Sequence, residues 1–420
     1  MNRQGPGEPQ GGAPVNREGP GEPQRGTPVS RASTVGVLVL AAAAGLVLSL
    51  YGPAIPELRE AFGVGGSGSA LVLSAHFAGA MTGIAWWGVE RRLAPRTWLR
   101  VAVALLVAGA AGVAFAPAWG LVLVAAFGLG VGFGVVVVEI NVVFADGFGE
   151  RATAMLNLLG ACFGAGAVVG PLAVAVTGGY RVPFCAGALL AVAGLALTRD
   201  LPRTARVPAP ATERPAFGVV GGFVALCALY VGVESGIGGW EATSLLAGGT
   251  GEAAAASWTA GYWAALTTGR LLAIPLALRI SAPALAAGSL LLAAVGLGLA
   301  HVPALAPAAY TLTGLALGPV FPTALAWLAQ TAPGARGSTA MVFAAANLGG
   351  VMLPVVIGRL ADASSPAVIP TTVLATALAC LVAALLLRRS ASAASPGTPA
   401  AARPSSPAGP RRPPGGRPPG

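Results

Sequence analysis

Apolar runs of eighteen residues or more recur along this chain from about residue 33 to residue 387. As α-helix, eighteen residues cover about 27 Å, close to the hydrocarbon thickness of a bilayer. Twelve runs can be counted, centred near residues 44, 78, 108, 132, 164, 190, 226, 264, 292, 318, 350 and 377. They are continuous and rich in Ala and Leu, without the two-residue alternation that a membrane barrel requires. The sequence therefore predicts an all-α membrane protein with twelve transmembrane helices. Only 10% of the residues are charged and 55% are apolar, against about 25% charged in a soluble chain. Mean hydropathy is +0.75, so most of the chain cannot face water.

The formal net charge of +10 does not point to nucleic acid, because of where the charge lies. All 25 basic residues are Arg. With the N-terminus inside, the inner segments carry Arg3, Arg17, Arg25, Arg31, Arg91, Arg92, Arg96, Arg100, Arg151, Arg199, Arg203, Arg206, Arg214, Arg279 and Arg336, and six more lie in the C-terminal tail. The outer loops hold Arg59, Arg181 and Arg359. This asymmetry matches the positive-inside rule and places both termini in the cytoplasm, in a multi-pass protein of the cytoplasmic membrane. Cys162, Cys185, Cys227 and Cys380 each fall within an apolar run, with no metal-ligand or disulfide spacing. The first run is long enough to span, so an uncleaved first helix is expected.

Residues 1–33 and 388–420 are rich in Pro, Gly, Ser and Arg and are expected to be disordered cytoplasmic tails. The first contains a tandem repeat, "NRQGPGEPQGGAPV" (2–15) followed by "NREGPGEPQRGTPV" (16–29). The polar segment "TRDLPRTARVPAPATERP" (198–215) divides the apolar region. The expected organisation is a six-helix bundle over 34–198, a cytoplasmic linker over 199–216 and a second six-helix bundle over 217–387. The halves match at an offset of 186 residues. Thr82-Gly83 pairs with Thr268-Gly269, Gly128 and Gly132 with Gly314 and Gly318, Thr153-Ala154-Met155 with Thr339-Ala340-Met341, and Gly164 with Gly350. A six-helix repeat in one orientation places a substrate site between the halves at mid-membrane.

Several stretches carry a family resemblance: "LYGPAIPELREAF" (50–62), "EINVVFADGFGERATAMLNLLGACFGAGAVVGPL" (139–172), "LYVGVESGIGGWEATSLLAGG" (229–249) and "LGPVFPTALAW" (317–327). The sequence resembles the major facilitator superfamily over residues 35–387, and within it the fucose–proton symporter-like branch. The resemblance implies two pseudo-symmetric bundles that rock about a central site. The superfamily's loop between helices two and three usually reads Gly-x-x-x-Asp-Arg-x-Gly-Arg-Arg. Here "GVERRLAPR" (88–96) keeps Glu90, Arg91 and Arg92 without the glycine between the basic residues. The branch's sugar–proton members carry an Asp before the Ile-Pro of helix one, where this chain has Gly52.

Glu139, in "GVVVVEIN", is the first candidate site residue. An unpaired charge at that depth costs on the order of 3 kcal/mol, so the group should face a watery cavity or be neutral. Gly128 and Gly132 share its helical face, and Asn141 lies about 200° round the helix. The resemblance implies that Glu139 faces the central cavity and takes part in proton coupling. The alternative is a carboxylate bonded to a neighbouring helix for assembly. Tyr230, Glu234, Gly238 and Glu241 share a face of the seventh run, where "SGIGGW" weakens the helix. Glu234 and Trp240 could shape the extracellular side, or form a polar helix end with Trp240 at the interface. Arg270 could snorkel, or pair with a carboxylate across the bundle. His76 could relay protons or be a packing residue.

No nucleotide motif is present, since "GLGVGFG" (128–134) lacks the Lys-Ser/Thr of a phosphate loop, and no HExxH occurs. The expected function is therefore secondary transport of a small solute driven by a proton gradient, by a monomer without a bound cofactor and without catalytic chemistry. A sugar-like solute follows from the branch resemblance. Export of drug-like compounds by proton antiport is the alternative, since Gly170-Pro171 lies in helix five as in antiporters, although Leu172 to Thr177 separate it from the next glycines. A non-transporting receptor on the same fold would require a closed apolar interior.

Overall fold

A computed structural model of the chain describes residues 29–90, 93–148, 151–201, 217–331 and 336–394. All regular structure among them is helical. The first half contains α1 (Arg31–Ser49), α2 (Tyr51–Phe62), α3 (Gly66–Val89), α4 (Pro95–Phe115), α5 (Trp119–Gly147), α6 (Ala152–Thr177) and α7 (Arg181–Leu197). The second contains α8 (Phe217–Ala247), α9 (Glu252–Ala277), α10 (Ala282–Leu299), α11 (Ala306–Leu317), α12 (Val320–Thr331), α13 (Arg336–Ala363) and α14 (Val368–Ala394). In lipid every backbone N–H and C=O must be satisfied within its own segment, which leaves the helix as the form these apolar runs can take.

Nine stretches among the described residues are long and apolar enough to cross a membrane. Of the rest, α7 has 17 residues, and α9 and α13 carry charged groups such as Arg270, Arg359 and Asp362. Only Leu50, itself in helical conformation, separates α1 from α2. Between α11 and α12 stand Gly318 and Pro319, and Pro319 has no N–H to continue the ladder. The outer surface is apolar: Val89, Val176 and Leu278 are each more than four-fifths exposed. Such a surface suits lipid and not water.

Each half has its own hydrophobic core, with Ala70 and Ala167 of the first reaching into that of the second. Glycines bring helices into backbone contact in a pattern repeated between the halves. A Cβ on Gly83 would strike the carbonyl of Val131, and one on Gly130 or Gly134 the carbonyls of His76 and Ala80. In the second half, Gly269 meets Leu315, and Gly314 and Gly318 meet Tyr262 and Leu266. Here α3 maps to α9 at an offset of 186, as in 76 to 262, 80 to 266 and 83 to 269. By contrast α5 maps to α11 and its end at 184, as in 130 to 314 and 134 to 318. Likewise Gly166 against Ala42 corresponds to Gly349 against Ala228, so α6 maps to α13 at 183. Pro171 and Pro354, inside those helices, keep the same 183. The equivalence of Gly128 and Gly132 with Gly314 and Gly318, and of Gly164 with Gly350, is thereby corrected. Connecting segments gain or lose residues at little cost, whereas a glycine contact fixes register.

The chain's alternating passes put the start of α1 and the end of α14 at one end of the bundle, called the terminal end below. The main contacts between halves are α3 with α13, α2 with α8, and α6 with α9. At the far end the Asp362 carboxylate on α13 accepts from the backbone N–H of Gly66 (2.6 Å) and Ser67 (2.7 Å) and from the Ser67 hydroxyl (2.7 Å). It caps the N-terminus of α3, where the free N–H groups and the helix dipole favour an anion. Ser74 Oγ donates to the Val351 carbonyl (2.6 Å) about two turns further in, and a Cβ on Gly52 would strike the carbonyl of Gly238. The far end is therefore closed.

The hydroxyl and N–H of Ser67 hold the exposed Asp362 carboxyl below its ordinary range. The closed state gains from this contact above the ordinary carboxylate pKa and loses it as pH falls through the depressed one, so the latch is complete at neutral pH. Asp362→Ala should open the far end more often. A cysteine at Ser69, fully buried beneath the latch, should then react several-fold faster with a water-soluble thiol reagent. An unchanged rate would remove Asp362 from the closure.

Candidate functional site

A cavity of about 710 Å³ lies between the halves. It runs from Leu73, Phe133, Gly238 and Trp263 near the middle towards Gly88 and Ala145 at the terminal end. A volume of this size suits a small organic solute. The walls are mostly aliphatic and aromatic. Among the hydrogen-bonding side chains on them are Trp87, Asn141, Glu234, Ser235, Trp263, Arg270 and Asn347.

From α5, the cavity receives Gly134, Val138, Asn141 and Ala145, spaced three or four apart on one helical face, with Phe133, Val137, Ile140 and Val142 beside them. Asn141 is exposed there and donates through Nδ2 to the Val137 carbonyl (2.8 Å). Glu139 is not on this stripe. It is fully buried, and its Oε2 accepts from Trp87 Nε1 at 2.7 Å. Gly132, two turns before it on the same face, packs against Ala102 and Leu106 of α4. The expectation that Glu139 opens directly onto the cavity is thus corrected. Its face is taken by neighbouring helices, and the opposite face, with Asn141, meets the open space. Trp87 connects the two, because its ring lines the cavity while its N–H holds the carboxylate. Such a charge-assisted bond holds an otherwise costly buried carboxylate in place.

Across the cavity, α8 contributes Glu234 and α9 contributes Arg270. They form an ion pair at 2.9 Å, with the side chains 15% and 27% exposed. Arg270 is therefore paired across the bundle and does not snorkel. Tyr230 is fully buried one turn before Glu234, and its ring stacks on Phe321, a wall residue, with centroids 5.7 Å apart. Its hydroxyl lies beside both members of the pair, Glu234 and Arg270. Tyr262 donates to the Glu234 carbonyl (3.3 Å), tying α9 to α8 at this level. Trp240 is fully buried and does not reach the cavity, so it sits neither at an interface nor on the wall. The structure keeps α8 helical through "SGIGGW"; Gly52 of α2 packs on the Gly238 carbonyl there, and Gly238 itself makes room for the Trp263 ring.

Glu90 caps the end of α3, its N–H bonded to the Trp86 carbonyl (2.9 Å). Arg91 and Arg92 lie outside the described residues. His76 is fully buried behind Phe77 and Phe133, and its Nδ1 meets the Tyr51 hydroxyl (3.2 Å). Of the wall residues that sequence reasoning missed, Trp87 and Asn347 carried a usable signal, as polar-tipped groups within apolar runs. Ser235 and Trp263 did not stand out.

Breaking the pair on one side leaves a partly buried charge unmatched, whereas removing both charges does not. Arg270→Met alone should destabilise by about 1–3 kcal/mol, the upper part of the range for buried pairs being discounted for solvent contact. Adding Glu234→Gln should recover part of that loss. Thermal unfolding of the purified single and double variants measures the coupling, and strictly additive losses would dissolve the pair.

A family model described as Major Facilitator Superfamily matches residues 37–240. No curated protein matches the sequence significantly. Solved structures similar in fold include a bacterial homolog of the human lysosomal transporter Spinster in an inward-facing conformation, at 15% identity and TM-score 0.67, covering 88% of this chain and 98% of that one. The peptide transporter POT in complex with sulfate is similar at 12% identity and TM-score 0.73, covering 88% and 97%. The xylose transporter XylE from E. coli, in a partially occluded inward-open conformation, is similar at 13% identity and TM-score 0.70, covering 85% and 97%. Such low identities carry the fold and not the substrate. With the family match over residues 37–240, the repeated halves and the cavity between them, the chain has the major facilitator fold.

Proposed function

We propose that this protein is a secondary transporter of the cytoplasmic membrane that moves a small solute by alternating access, coupled to protons. The observation that carries the reading is the cavity itself. It lies between two halves with separate cores, it is closed at the far end by contacts that cross between halves, and both halves supply its walls. Rocking one half against the other would break the Asp362 latch and expose the same walls on the other side. The Arg bias puts the terminal end in the cytoplasm, so this conformation is read as inward-facing.

Glu139 is the leading candidate for coupling. It is buried but one indole away from the cavity, so protonation there would remove the charge assistance from its bond to Trp87 and loosen that side chain. Glu234 is the second, because a proton on it would free Arg270 to bind an anionic group of the solute. The sequence leaves two solute classes open, sugar-like and drug-like, and the walls support the second. A sugar needs hydrogen-bond partners for every hydroxyl it buries. Several of the polar side chains on these walls are already engaged: Glu234 and Arg270 with each other, Trp87 with Glu139 and Asn141 with the Val137 carbonyl. An amphipathic solute with an apolar body and one polar or charged group fits better.

Purified protein in proteoliposomes under an imposed pH gradient tests this. Saturable movement of amphipathic compounds, abolished by a protonophore and weaker for neutral sugars, is the expected result. Glu139→Gln should lose gradient-driven accumulation while keeping solute exchange. Accumulation of neutral sugars alone would reverse the solute assignment. Wild-type coupling in Glu139→Gln would remove that residue from the proton path.

A further inference from the structure

Seven residues beyond Glu234 on α8, along the same helical face, stands a carboxyl group that the transport reading leaves idle. Glu241 is fully buried; the Thr259 hydroxyl of α9 lies near its carboxyl group, but neither oxygen receives a hydrogen bond of ordinary geometry. Its neighbours are already committed elsewhere. Thr259 of α9 donates to the Ala255 carbonyl (3.2 Å), and Tyr262 of α9 donates to the Glu234 carbonyl (3.3 Å). Tyr310 of α11 donates to the Ser244 hydroxyl (3.0 Å). Tyr262 and Tyr310 are the titratable groups that face Glu241 from α9 and α11. The cation of α9, Arg270, is bound to Glu234. Glu57, Arg59 and Glu60 of α2 lie at the far end, where Glu57 accepts from the Tyr180 N–H (3.1 Å) and Arg59 faces Asp362 of α13. No ion pair with Glu241 forms from α2, α12, α13 or α14 among the described residues. An ionised carboxylate without partners in such a place costs several kcal/mol, so the site as built accommodates the neutral acid.

Its position along α8 gives that acid a use. Glu234, Ser235, Gly238 and Gly239 line the central cavity. Thr243, Leu246 and Ala247 line a second recess of about 580 Å³ at the far end, which they share with Arg59 and Glu60. Trp240, Glu241 and Ala242 are the buried turn between the two, the stretch of α8 that keeps them apart. The hydroxyl of Thr243, at the floor of the recess, is also buried without a partner.

We propose that Glu241 is a proton-binding site within this barrier, loaded while the far end is closed and unloaded when it opens. On opening, the recess and the cavity join and water reaches the carboxyl group. The O–H bond then breaks, its electron pair stays on the carboxylate, and the proton passes to water on the far side. Closing reverses the step and requires the proton back. This rests on the alternating-access reading, and the site is separate from Glu139 and from the Glu234–Arg270 pair.

Two measurements test it, neither of which requires solute flux. Infrared difference spectroscopy of the purified full chain at neutral pH should show a carbonyl band of a protonated carboxylic acid that is lost in Glu241→Gln. Spin labels at Glu60→Cys and Ser365→Cys, with the four native cysteines replaced, read the far-end distance. The open-to-closed ratio should rise with pH by up to about tenfold per pH unit, the slope for one linked proton. In Glu241→Gln that slope should vanish and the closed distance should dominate. An unchanged slope in this variant, or a wild-type spectrum without the band, overturns the proposal. Should Glu241→Gln not fold, Glu241→Asp must shift the band, and an unshifted band counts against it. Failure of the transport reading would show instead as wild-type protein that moves no solute.

Discussion

Contact between helix backbones, made possible by glycine, is the interaction on which the rest of this structure depends. Lipid tails are as apolar as leucine, so little hydrophobic force drives these helices together, and close packing must supply it. Gly83, Gly130 and Gly134 let α3 and α5 meet carbonyl to Cα. Gly269, Gly314 and Gly318 do the same for α9 and α11. Because those contacts fix register as well as distance, they determine which side chains of α5 and α9 are presented to the space between the halves.

The cavity follows from that packing. With α5 locked by Gly130 and Gly134 on α3 and by Gly132 on α4, only its remaining face is free, and that face carries Val138, Asn141 and Ala145. Glu139 is thereby turned into the helix packing and held by Trp87. In the second half the Glu234–Arg270 pair lies on the wall, tied to its surroundings through Tyr262. The two halves meet most closely at the far end, where one carboxylate, Asp362, satisfies the first-turn N–H groups of a helix from the other half.

Much of this was legible in the residues. The helical class follows from run length, and the acidic groups in α5 and α8 stand out through the cost of charge in lipid. The repeat between halves was also visible, but only at a single offset. Loop lengths drop out of any constant-offset comparison, so the shifts to 184 and 183 needed the glycine contacts themselves. Glu139 was recognisable as unusual, whereas the direction it points was not.

The reason lies in the solvent. On a soluble helix the polar face marks water and the apolar face marks the core, so azimuth can be read from pattern. In a bilayer both lipid and core are apolar, and α3, α5 and α8 show almost no hydrophobic asymmetry around their axes. The sequence by itself determined that the chain crosses a membrane repeatedly as helices, in two related halves with a few costly charges inside. Which charges pair, which face the cavity and which end is closed were decided by tertiary packing, because they depend on helix rotation and on contacts between residues hundreds of positions apart.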